Sequence, residues 1–138
     1  MTVKSTIEAF WQGHSTQDIA LLKTVMAEDM TWTVVGKTCP IAKTYEGWEG
    51  FFGELLSGLG EAFKPGTLKM TVKGLYADEA AGMGFLHLSE SAELHNGNLL
   101  DVELVDVFTV KNGKITAVRE IMDMAAVNAA FGFGEASA

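Results

Sequence analysis

The sequence predicts an α+β domain, and three observations carry that prediction. Apolar residues recur with helical spacing over residues 3–13, 19–26 and 47–63. Period-two alternation bounded by turn residues fills most of the chain from residue 67 onward. Helices followed by a meander of strands is the α+β order, with helices covering the concave face of a bent, mainly antiparallel sheet.

Each element has its own signal. Val3, Ile7, Phe10 and Trp11 form the first helical stripe. Ser15 and Thr16 offer an N-cap to a second helix, whose face is Ile19, Leu22, Val25 and Met26. "MTWTVVG" reads as a short strand and "KTCPIAKTYEG" as a loop. The third helix carries Trp48, Phe51, Phe52, Leu55, Leu56, Leu59 and Phe63, and Pro65-Gly66 ends it. Strands follow in "TLKMTVKGLYA", "GMGFLHLSESAEL", "LLDVELVDVFTV" and "KITAVREIMDM", separated by Asp78-Glu79, "HNGN" and Asn112-Gly113. "AAVNAAF" is a short last helix, and residues 132–138 read as a frayed tail. The chain has no internal repeat or linker, so residues 1–138 are one domain.

Composition narrows the function classes. The chain is 48% hydrophobic and 20% charged, enough to bury a sizeable core. Its net charge of −8 argues against nucleic acid and against anionic membrane surfaces. No apolar run reaches the roughly 18 residues of a membrane helix, and the N-terminus lacks the apolar core of a secretory signal. The single cysteine, Cys39, excludes an internal disulfide and fits a reduced, cytoplasmic setting. His14, His87 and His95 are scattered, no Cys/His cluster has zinc spacing, and no glycine-rich phosphate motif is present. The expectation is therefore no metal and no cofactor.

The most apolar hairpin, "ELVDVFTVKNGKITAVREIMD", carries acids among its apolar residues. Burying a carboxylate without a partner is costly, so their face matters. A two-residue Asn112-Gly113 turn puts Asp106 opposite Arg119 as a structural ion pair. A three-residue loop with a glycine bulge puts Asp106 opposite Val118 and gathers Leu104, Asp106, Phe108, Val118, Glu120 and Met122 on one face. A one-residue slip exchanges the two faces.

"MAEDMTWTVVG", "YEGWEGFFGELL" and "VDVFTVKNGKITAVREIMD" together resemble the SnoaL-like branch of the nuclear transport factor 2-like superfamily. That branch is related to polyketide cyclases, ketosteroid isomerases and limonene epoxide hydrolases. The resemblance implies a cone-shaped α+β barrel, an apolar pocket between helices and sheet, and a homodimer through the outer sheet face. It favours the three-residue loop, because both matched hairpin positions face the pocket in the family. Ketosteroid isomerases hold an aspartic acid neutral in an apolar site, and its position matches Asp106. Their tyrosine and carboxylate base match Phe10 and Val34, which cannot do that chemistry. The last-strand aspartate of limonene epoxide hydrolases matches Glu120. Their arginine and second aspartate match His87 and Ser89, and their water-holding tyrosine and asparagine match Trp32 and Val34.

The expected catalytic set is thus His87, Asp106 and Glu120, with His87 as general base and either acid as its partner. Trp32, Val34, Phe10, Phe85, Ser89, Phe108 and Met122 are the expected substrate-binding residues. "ESAEL" and Glu103 read as a solvated face, and Tyr45 and Trp48 as caps of the pocket mouth. The expected ligand is an apolar, carbonyl-bearing or epoxide-like small molecule, turned over by an isomerase, cyclase or hydrolase. The alternative is a module that binds such a ligand, or dimerises, without chemistry.

Overall fold

A computed structural model describes residues 1–133. Helices α1 (Val3–Ser15) and α2 (Ile19–Val25) lead into strand β1 (Met26–Val34) and the short β2 (Thr44–Glu46). A π-helical segment (Glu49–Leu56) continues into α3 (Ser57–Ala62). Strands β3 (Lys69–Asp78), β4 (Met83–Glu93), β5 (Leu99–Lys111) and β6 (Lys114–Met122) follow, and α4 (Met124–Phe131) closes the described chain. The six strands form one sheet in the order β2-β1-β6-β5-β4-β3. The sheet curves around the helices without closing on itself.

The sequence placed helices, meander and concave face correctly, with local exceptions. β1 runs parallel to β6, pairing Trp32 with Val118 and Val34 with Glu120, because the chain returns to β1's free edge only after the whole meander. The second helix is capped by Asp18, whose side chain accepts from Leu21 N at 3.1 Å. Thr16, expected as that cap, instead ends α1. The loop before the third helix contains β2, and the third helix is π-helical over its first half, a wider geometry frequent near functional sites. Gly132 caps α4 in the left-handed conformation, and Phe133 N donates to Asn128 O at 2.9 Å. The rest of the expected tail, residues 134–138, lies outside the described residues.

Helix α1 is pinned over the sheet at its N-terminal end. Glu79, in the β3–β4 turn, accepts from Val3 N at 2.8 Å and Lys4 N at 3.1 Å. A carboxylate there satisfies free helix donors and complements the helix dipole. Gly84 allows the close approach, since a Cβ on it would strike the Ile7 side chain and Tyr76 O. Between helix and sheet, Phe10 is fully buried and meets Phe108 edge-on with ring centres 5.1 Å apart. Trp32 meets Phe51 of the π-helical segment at 4.5 Å.

The β5–β6 hairpin realises neither expected register. Its turn is the two-residue Asn112-Gly113, with φ of 53° and 71°, and it pairs Lys111 with Lys114 and Val110 with Ile115. An extra residue then enters at Thr116, so Thr109 pairs with Ala117 and Asp106 with Glu120. The three-residue loop is therefore corrected to a short turn plus a bulge in β6. The side-chain consequence is the same, because one inserted residue inverts the alternation wherever it falls.

Candidate active site

The helices and the concave sheet face enclose a cavity of about 830 Å³. Its walls are chiefly apolar and aromatic, among them Trp11, Trp32, Phe51, Leu55, Phe63 and Phe131. Two carboxyl groups line it, Glu90 from β4 and Glu120 from β6. His14 and Lys69 are the basic residues on its wall.

Glu120 reaches the inner face because the bulge at Thr116 turns it there. Directly opposite, Asp106 is sealed in the core, 2% exposed, and does not line the cavity. Burial raises Asp106 well above the usual carboxylate range, and the charges of Glu120 and Glu90 add to that rise. Asp106 is therefore the member of the pair that keeps its proton beside Glu120. Burial also raises Glu120, while contact with Asp106 and the Trp32 indole draws it back toward ionisation. The Trp32 N–H favours that anion, yet Trp32 Nε1 and Asp106 Oδ1 are both without a hydrogen-bond partner.

Glu90 sits on the inner face of β4 among Leu86, Leu88 and Ala92, and pairs with Val102. Burial, reinforced by the Glu120 charge, pushes its carboxyl up to about 7. Burial pushes His14 down to about 4, so it is neutral at physiological pH. Its ring stacks on Phe10 with centres 5.3 Å apart. Both residues were legible and were missed. His14 continues the Val3, Ile7, Phe10 stripe by one turn, and Glu90 alternates with Leu86, Leu88 and Ala92.

The structure divides the expected site residues into three groups. Trp32, Val34, Met122 and Glu120 line the cavity. Phe10 of α1, and Phe108 and Asp106 of β5, turn into the same interior but are buried and do not line the cavity. His87, Phe85 and Ser89 occupy the outer face, with His87 opposite Val105 and Phe85 opposite Val107. The His87 assignment is thus corrected. Its Nε2 contacts Glu103 Oε2 at 3.1 Å, and Glu103 also accepts from Lys73 Nζ at 2.7 Å. The physical reason is parity: Leu86, Leu88 and Ala92 are the buried set of β4, so the odd-numbered residues between them turn outward.

The mouth-capping roles are corrected as well. The Tyr45 hydroxyl donates to Ile41 O at 2.8 Å, and Trp48 Nε1 donates to Met26 O at 3.0 Å, both away from the cavity wall. "ESAEL" is not wholly a solvated face, since Glu90 enters the cavity and Ala92 and Leu94 are buried. Glu103 is exposed as expected. Among the described residues no cluster of three metal-ligating side chains occurs, and no helix is long and apolar enough to cross a membrane.

The SnoaL-like domain family matches residues 7–118. Comparison with the curated proteins finds no match. Among solved structures, Bal32a from a soil-derived mobile gene cassette is 25% identical, covering 94% of this chain and 95% of its own, with a TM-score of 0.81. A nuclear transport factor 2-like protein from Burkholderia thailandensis is 18% identical over 94% and 97% of the two chains, with a TM-score of 0.84. TerC, co-crystallised with polyporic acid, is 19% identical over 93% and 96%, with a TM-score of 0.77.

Proposed function

The chain belongs to the SnoaL-like domain family, and from that premise we propose that it is a proton-transfer catalyst acting on an apolar small molecule, in an isomerase- or cyclase-like reaction. One observation carries the reading: the Glu120 carboxyl opens onto an apolar cavity while a sealed, proton-bearing Asp106 stands directly across from it on β5. A carboxylate in a site poor in water is a stronger base than in solution. Asp106 limits that effect, keeping Glu120 able to ionise at the pH at which it must accept a proton. The aromatic wall supplies affinity through burial of an apolar body. The ligand co-crystallised with TerC, a small molecule, is in keeping with this use of the fold.

Deuterium incorporation into an apolar ketone such as 2-tetralone in D₂O tests the reading. The wild-type protein is expected to accelerate exchange at the carbon next to the carbonyl, and Glu120→Gln to abolish the acceleration. Equal rates for wild type, Glu120→Gln and buffer would sink the reading. Phe10 and Val34 stand where related enzymes place polar groups, which favours simple ligand storage as the second reading. Mass spectrometry of the native protein would then find a retained apolar ligand with no exchange activity.

We also propose that the outer sheet face seats a second copy of the chain. Tyr76, Phe85 and Ile121 are 63%, 48% and 49% exposed on strands β3, β4 and β6, a larger apolar display than a solvated sheet face needs.

A further inference from the structure

We propose that Glu90 is the second catalytic residue of the cavity, the acid that works with Glu120 on the ligand, and that Asp106 acts only through Glu120. The inference rests on the proton-transfer reading above and deepens it. The residue that matches the aspartic acid of ketosteroid isomerases is sealed: Asp106 is 2% exposed and does not reach the cavity wall. A group that cannot touch the ligand cannot deliver a proton to it. Glu90 can, because it lines the same cavity as Glu120 from the opposite side of the β5 strand.

The sheet topology explains how two residues so far apart in register come to share one space. Asp106 pairs with Leu86 on one side and Glu120 on the other. Glu90 lies four residues further along β4, opposite Val102. Both side chains reach the same cavity over the concave face of the curved sheet, and the Glu120 charge adds to the rise of the Glu90 carboxyl. The charged or titratable groups around Glu90 are Glu120 and Asp106, with His14 and Lys69 elsewhere on the cavity wall. His14 stays neutral, and Lys69 is exposed at the rim. Neither makes an ion pair with Glu90. A carboxyl in that setting keeps its proton up to about neutral pH, the condition for an acid that must give it up there.

The step balances without a co-reactant. The Glu120 carboxylate removes a proton from one ligand atom, and the Glu90 carboxyl delivers its proton to another. The ligand's electron pair shifts between the two positions, so the ligand is isomerised and nothing is oxidised or reduced. Glu120 is left protonated and Glu90 ionised, and exchange with solvent through the cavity mouth restores both.

Carboxyl-directed NMR with ¹³C-labelled Glu and Asp, combined with the 2-tetralone exchange assay, tests the assignment. The expected result is a carboxyl titrating near pH 7 that disappears in Glu90→Gln, moves when 2-tetralone is added, and matches a limb of the exchange rate. That limb should be lost in Glu90→Gln together with a rate loss of at least about tenfold. It should survive at the same pH in Asp106→Asn, whose rate falls for a different reason. A Glu90→Gln variant with wild-type rate and profile overturns the proposal. So does a ligand that moves the Asp106 resonance and leaves that of Glu90 unchanged. Wild-type protein that exchanges no deuterium defeats the proton-transfer reading instead, and the ligand-induced carboxyl shifts still decide which acid faces the ligand.

Discussion

Asp106 and Glu120 face each other directly across strands β5 and β6, and they do so because β6 carries one residue more than its partner, at Thr116. Without that residue Asp106 would stand opposite Arg119, and Glu120 would point to the outer face. The bulge is therefore as much a part of the site as the carboxyl groups it aligns. Deleting Thr116 is expected to abolish ligand binding in the cavity while circular dichroism still reports a β-rich fold. Retained 2-tetralone binding by the deletion variant would show that the hairpin can recover its register elsewhere.

Glu90 makes stability depend on pH. Its folded-state value, about 7 against an ordinary 4.5, is raised. Its contribution is therefore fully present below pH 4.5 and is lost as pH rises through 7. The full span of that loss is on the order of 3 kcal/mol. Chemical denaturation at pH 4.5 and pH 8 should show wild type losing more stability over this interval than Glu90→Gln. Parallel curves for the two proteins would mean that Glu90 is solvated when the protein is folded.

The aromatic layer beneath the cavity is a structural element rather than a set of ligand contacts. Phe10 is fully buried against Phe108, Trp32 and His14. Phe10→Ala should cost about 3–5 kcal/mol in urea unfolding. A cost below about 1 kcal/mol would indicate a collapsible or water-filled core at this point.

His87 belongs to the outer face, where it joins Glu103 and Lys73. Contact with Lys73, and then with His87, holds the Glu103 carboxyl below the usual range. Exposed pairs of this kind contribute little. His87→Ala should therefore leave the exchange rate unchanged and alter stability by no more than about 0.5 kcal/mol. A large loss of exchange activity would restore His87 to the catalytic set.

If the outer face seats a second copy, Phe85→Glu should convert a dimer to a monomer in analytical ultracentrifugation, with the cavity's ligand binding intact. A monomeric wild-type protein at micromolar concentration would refute that docking.

The sequence by itself determined the class of the fold, the identity of nearly every element, and the concave placement of the helices. Those follow from local periodicity, turn residues and the order of elements, which are written along the chain. It also placed Glu120, Trp32, Val34 and Met122 on the cavity side. Glu90 and His14 were legible too, from the parity of Leu86 and Leu88 and from the α1 stripe, but "ESAEL" read as a solvated face and the resemblance matched His87 and Ser89 instead. What only the tertiary structure decided is depth and register. The parallel docking of β1 on β6, the extra residue at Thr116, and the sealing of Asp106 behind the cavity wall each depend on contacts between distant segments. Two acids on the same face of one hairpin look alike in sequence. Burial closes Asp106 off from the ligand, while Glu120 stays open to the cavity.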